Sequence, residues 1–100
     1  MARKLQGYTL SPRARSDLEK IWRYSFQTWS RSQADEYYRE LVDAMSDLAG
    51  ELKRGKPIDH IRSGYFSLSC GSHLIIFKFG RTRISIIRVL HQRMNIGGHL

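Results

Sequence analysis

Two apolar runs of helical period, joined by a short polar link, constrain this chain more than any other feature. Ala14, Leu18, Ile21, Trp22, Ser25 and Trp29 recur at steps of three and four residues, the spacing that lines one face of an α-helix. Ser11-Pro12 precedes them, a hydroxyl that caps and a proline suited to a first turn. The spacing predicts a helix over residues 12–29. Ser30-Arg-Ser-Gln33 then has the form of a capping box, and Ala34, Tyr37, Tyr38, Leu41, Met45, Leu48 and Leu52 carry the period onward. Two helices joined this closely lie antiparallel, so residues 12–52 are expected to form a helical hairpin whose seam takes Trp22, Trp29, Tyr37 and Tyr38. Gly50 or Gly55 would end the second helix.

The remaining periodicity is of strands. Residues 5–10 read as a short first strand, and residues 65–70, 73–79 and 84–90 are rich in β-branched and aromatic side chains. Gly71-Ser72 has the form of a two-residue hairpin, Gly80-Arg-Thr-Arg83 of a longer basic turn, and residues 55–64 of a loop. The expected architecture is α+β, in the order β-α-α-β-β-β, with the helical hairpin packed on one face of a small antiparallel sheet. At 100 residues the chain is expected to form one domain, 1–100, with a single core.

Charge narrows the function classes. Seventeen Lys and Arg against nine Asp and Glu leave a net charge of +8, which points to a polyanionic partner, either nucleic acid or an acidic protein. Asp17, Glu19, Asp35, Glu36, Glu40, Asp43, Asp47 and Glu51 all precede residue 52, and Asp59 alone follows it, so the C-terminal half is almost purely cationic. No apolar run is long enough to cross a membrane, and the basic start Met1-Ala-Arg-Lys lacks a following apolar stretch. With a lone cysteine, Cys70, these features lead us to expect a cytoplasmic protein.

Few residues suit chemistry. His60, His73, His91 and His99 lack metal-ligand spacing, Cys70 has no second thiol, and no glycine-rich phosphate loop is present, so neither metal nor cofactor is expected. Cleavage of RNA would need an acid and a base together with cations for the developing phosphate charge; His91 could supply the acid or the base, and Arg62, Arg88 or Arg93 the cation. The same residues also suit a polar edge that touches another protein.

The order and spacing of several segments are similar to those of the ParE-type toxins of the ParE/RelE toxin–antitoxin superfamily. They are Leu10-Ser-Pro-Arg-Ala-Arg-Ser-Asp-Leu18, Ile21-Trp-Arg-Tyr24, Trp29, Gln33-Ala34 with Tyr37-Tyr38, Gly55-Lys-Pro57, Ile61-Arg-Ser-Gly-Tyr65, Gly71-Ser-His73 and Ile87-Arg-Val-Leu-His-Gln-Arg-Met94. The resemblance implies the same element order. It implies a toxin that inhibits DNA gyrase by binding it, not an enzyme, and that is silenced in a complex with an acidic ParD-like antitoxin that folds on binding. On that reading the target surface is Arg81, Arg83, Arg88, His91, Arg93 and Met94, and the antitoxin surface is Leu18, Trp22, Tyr37, Leu41, Arg62 and Tyr65. Two alternatives are a ribosome-dependent endoribonuclease of the RelE type and a non-toxic, antitoxin-binding relative.

Overall fold

The computed structural model describes residues 7–100; Leu5 and Gln6, expected at the start of the first strand, lie outside them. The elements are β1 (Tyr8–Leu10), α1 (Pro12–Thr28), α2 (Arg31–Ala49), β2 (Lys56–Pro57), β3 (Phe66–Cys70), β4 (His73–Phe79), β5 (Ile84–His91) and a closing 3-10 turn (Ile96–His99). Both helices start as their caps dictate. The Ser11 hydroxyl accepts the Ala14 N–H at 3.0 Å with Pro12 opening α1, and the Ser30 hydroxyl accepts the Gln33 N–H at 3.1 Å. The second helix stops short of Leu52. Gly50 closes it and Glu51 turns left-handed, which leaves Leu52 in solvent.

The five strands lie in the order β1-β5-β4-β3-β2. The α+β class and the element order are as expected, but the sheet is mixed where an antiparallel one was anticipated. β1 and α1 run in the same sense, α2 returns, β3 goes out, β4 returns and β5 goes out again; β1 therefore meets β5 in parallel, with Tyr8 opposite Ile84 and Leu10 opposite Ile86. The unexpected β2 pairs Lys56 with Ser67 and Pro57 with Phe66, at the sheet edge where a proline is tolerated. Gly55 precedes it because a Cβ there would stand 2.6 Å from the Phe77 ring and 2.8 Å from the Ser67 carbonyl.

Residues of α1 and α2 meet Ile75, Phe77, Ile84, Ile86 and Val89 on one sheet face, with Leu18, Leu41, Met45 and Leu48 from the helices completing the core. Where a single core was expected, a second, smaller one forms on the opposite face, with Ile58, Ile76 and Leu90 covered by Tyr65, Ile96 and Leu100. Each buried aliphatic side chain contributes roughly 1.5–3 kcal/mol through removal of apolar surface from water. The chain that follows β5 thus folds back as a third, thin layer. Among the described residues no helix is long and apolar enough to cross a membrane.

Candidate functional site

β1 stops at Leu10, so β5 beyond Ile86 would present an open edge to α1. Side chains close it. The Ser11 hydroxyl donates to the Ile87 carbonyl at 2.6 Å, and the Asp17 carboxylate accepts the buried Val89 N–H at 2.9 Å. A bulge places Ile87 between the pairs Ile76–Arg88 and Phe77–Ile86, and Arg88 beyond it reaches Asp17 with two nitrogens, Nε at 2.8 Å and an Nη at 2.9 Å. The other Nη donates to the His99 carbonyl at 2.8 Å, which ties the closing turn to the same pair. With side chains only 16% and 10% exposed, Arg88 and Asp17 form a structural ion pair. Arg88, expected on the target surface, is thereby withdrawn from it.

The expected target surface is also divided in space. Arg81 and Arg83 precede β5 whereas His91, Arg93 and Met94 follow it, and a strand of this length separates its ends by about 23 Å at ~3.3 Å per residue. The antitoxin set divides too. Leu18 and Leu41 are 2% and 0% exposed and belong to the core, because their helical phase points them at the sheet. Trp22 lies on the hairpin, stacked on Phe26 at 5.3 Å, with its ring N–H on Asp35 at 2.9 Å. Arg62 and Tyr65 lie together on the loop that covers the second core, the guanidinium 5.1 Å from the ring centre.

What the fold does bring together is a groove of about 950 Å³ between the far end of the helical hairpin and the end of the sheet. Lys20, Ile21, Tyr24 and Trp29 line it from α1 and its end, Glu36, Tyr37 and Glu40 from α2, and Ser72, His73, His91, Arg93 and Met94 from the sheet side. The hairpin overhangs the strands, so its aromatics find no sheet beneath them. Tyr24 and Trp29 are 64% and 62% exposed and stand edge to face at 6.4 Å, so Trp29 is not sealed in the seam that the periodicity suggested. Tyr38 is exposed as well.

At the base of the groove the Tyr37 hydroxyl accepts the Ser72 N–H at 3.1 Å and lies 3.2 Å from the Cys70 carbonyl and 2.7 Å from Nδ1 of His73. The positive φ of Gly71 makes this turn, and any Cβ there would stand 2.6 Å from the Tyr37 ring. His73 faces His91 across the β4–β5 pair, their rings edge to face at 5.3 Å. Nδ1 of His91 accepts the Arg93 N–H at 3.2 Å. Burial, followed by the neighbouring His91, holds the His73 ring below its ordinary pKa, against an opposing pull from Asp17. Burial raises the Tyr37 hydroxyl and the Cys70 thiol above theirs.

Of the expected site residues, Tyr37, His91, Arg93 and Met94 meet in this groove. Lys20, Tyr24, Glu36, Glu40 and His73 belong there too and were not anticipated. Only the His73–His91 register would have revealed the second histidine, and that register depends on the bulge at Ile87.

A model of the ParE toxin of type II toxin–antitoxin systems, parDE, matches residues 8–96. The chain belongs to the ParE toxin family. A Toxin ParE1 of Caulobacter vibrioides is 43% identical over 96 residues, covering 96% of this chain and 99% of that relative. A Toxin ParE1 of Mycobacterium tuberculosis is 42% identical over 94 residues, covering 93% and 96%. Among solved structures, a chain of the chromosomal ParDE TA system from P. aeruginosa superposes with a TM-score of 0.77 at 16% identity, over 90% of this chain and 98% of that one. The ParE-family fold is thus kept where most of the sequence has changed.

Proposed function

We propose that this ParE-family chain is a cytoplasmic toxin that inhibits DNA gyrase by binding, and that a ParD-like antitoxin neutralises it by docking in the groove beneath the helical hairpin. The observation that carries the docking site is the pair of aromatic walls, Tyr24 and Trp29, that stay open to solvent above a groove large enough for several side chains. An amphipathic segment that is disordered when free would gain its ordering energy by covering them. For the target, the cationic end of the chain at Arg93 and Met94, with His91, is the surface we favour; Arg81 and Arg83 form a separate basic turn.

Binding is favoured over RNA cleavage because Arg88, the arginine nearest His91 in β5, is occupied by Asp17 and His99 and is not free to hold a phosphate. One observation favours the second reading. His73 beside His91 supplies a second imidazole, the pairing an acid–base mechanism would need.

The test adds purified protein to gyrase acting on relaxed plasmid, with and without excess antitoxin, beside a translation reaction probed for cut mRNA. Lost supercoiling that antitoxin restores, with intact mRNA, is the expected result. Cut mRNA with normal supercoiling would instead make His91 and His73 catalytic candidates and overturn the proposal.

A further inference from the structure

The two walls of the groove differ in charge. Glu36 and Glu40 stand on the α2 side, whereas Lys20 stands on α1 and His73, His91 and Arg93 on the sheet side. Among the described residues neither Lys20 nor Arg93 has a carboxylate within 4.0 Å, and neither histidine Nε2 has a hydrogen-bond partner. Each ring is held through Nδ1 alone. Since Nδ1 of His91 accepts the Arg93 N–H, the neutral ring carries its proton on Nε2 and is already a donor there. His73 differs. When the Tyr37 hydroxyl proton serves the Cys70 carbonyl, Nδ1 of His73 carries the ring proton toward Tyr37, and Nε2 is a lone pair that becomes a donor only on protonation.

Resting on the docking site proposed above, we infer that the sheet wall is a carboxylate-binding site: an Asp or Glu of the antitoxin segment is held by His91 and Arg93, and His73 takes up a proton as it arrives. The charge of the wall commits the occupant to an acidic side chain, as does the excess of cations in the whole chain. Every charged neighbour of the pair is consistent with that exchange. Lys20 and Arg93 attract the incoming carboxylate; Glu36 and Glu40 steer it to the opposite wall; the Asp17 carboxylate, paired with Arg88, already pulls the His73 ring toward its charged form. The Tyr37 hydroxyl, its pKa raised by burial, stays neutral at working pH. The new carboxylate supplies the counter-charge that the free chain lacks at His73, so the ring is protonated in the complex at a pH where the free ring is neutral.

The linkage has a definite sign. The imidazole's affinity for a proton is higher in the complex, so the added antitoxin affinity is complete below the free-chain pKa and fades as pH rises through the bound-state pKa. For one proton the dissociation constant changes at most about tenfold per pH unit.

Calorimetric titration of the intact chain with its cognate ParD-like antitoxin, in phosphate and in Tris at the same pH near neutrality, reads the proton count directly. Binding enthalpies that differ between buffers by the equivalent of up to one proton, with affinity rising as pH falls, are expected. His73→Gln should lose the affinity that the wild type gains as pH falls and abolish both the buffer difference and the pH slope, and His91→Gln should weaken binding. Equal enthalpies in the two buffers, or proton uptake that persists in His73→Gln, would overturn the inference. Trp29→Ala separates the two levels. If it weakens binding while no proton is taken up, only the carboxylate site fails; if it leaves affinity unchanged, the antitoxin docks elsewhere and both readings fall.

Discussion

Asp17 and Arg88, 71 residues apart in the chain, meet through two charge-assisted hydrogen bonds, and the same carboxylate also accepts the buried Val89 N–H. One side chain of α1 thus replaces the strand that β1 is too short to supply, while Arg88 carries the connection on to His99. Asp17→Ala would leave a nearly buried guanidinium and a backbone donor without partners. We expect it to destabilise the chain by about 3–5 kcal/mol, read from urea unfolding. Asp17→Leu with Arg88→Met should recover much of that loss, since no charge is then left unpaired.

Leu41 and Trp29 should behave as opposites although both lie on apolar helical stripes. Leu41→Ala opens a cavity in the core and is expected to lower stability by about 2–5 kcal/mol. Trp29→Ala removes an exposed ring and should change stability by less than about 0.5 kcal/mol, while antitoxin affinity falls by about 2 kcal/mol or more. Thermal unfolding and a binding titration on the same two variants measure both.

Gly71→Ala tests the base of the groove. A left-handed backbone at a φ of 58° and a Cβ 2.6 Å from the Tyr37 ring both oppose it. A loss of roughly 2–4 kcal/mol is expected, with Tyr37 displaced from His73. Unfolding curves and the His73 ring resonances would report it.

Stability of the free chain should depend on pH through His73. Its folded pKa lies below the ordinary value of about 6.5, chiefly because it is buried and then because His91 adjoins it. The unfolded chain therefore takes the proton first as pH falls. The contribution to stability is present above the unfolded pKa and is lost as pH falls through the folded one. Urea midpoints that decline below that pH in the wild type, and decline less in His73→Gln, are the expected outcome.

Local physics made much of this legible from the residues alone. The caps at Ser11 and Ser30, the periods of α1 and α2 and the turn at Gly71 depend on neighbours a few residues away, and each stands where it was expected. The short pairing at Lys56–Pro57 carries no such signal, since a two-residue edge strand has no period to detect.

The sequence by itself determined the helices, the main strands, the excess of positive charge and the family resemblance, because propensity, periodicity and composition act over short stretches of chain. Only the tertiary structure decided that β1 joins β5 in parallel, that Leu18 and Leu41 are core while Tyr24 and Trp29 are surface, and that Arg88 is spent on Asp17. Helical period tells which residues share a face but not where the sheet beneath that face ends. Here the hairpin outruns the strands, and that overhang turns aromatic residues of a seam into the walls of a groove with His73 and His91 at its base.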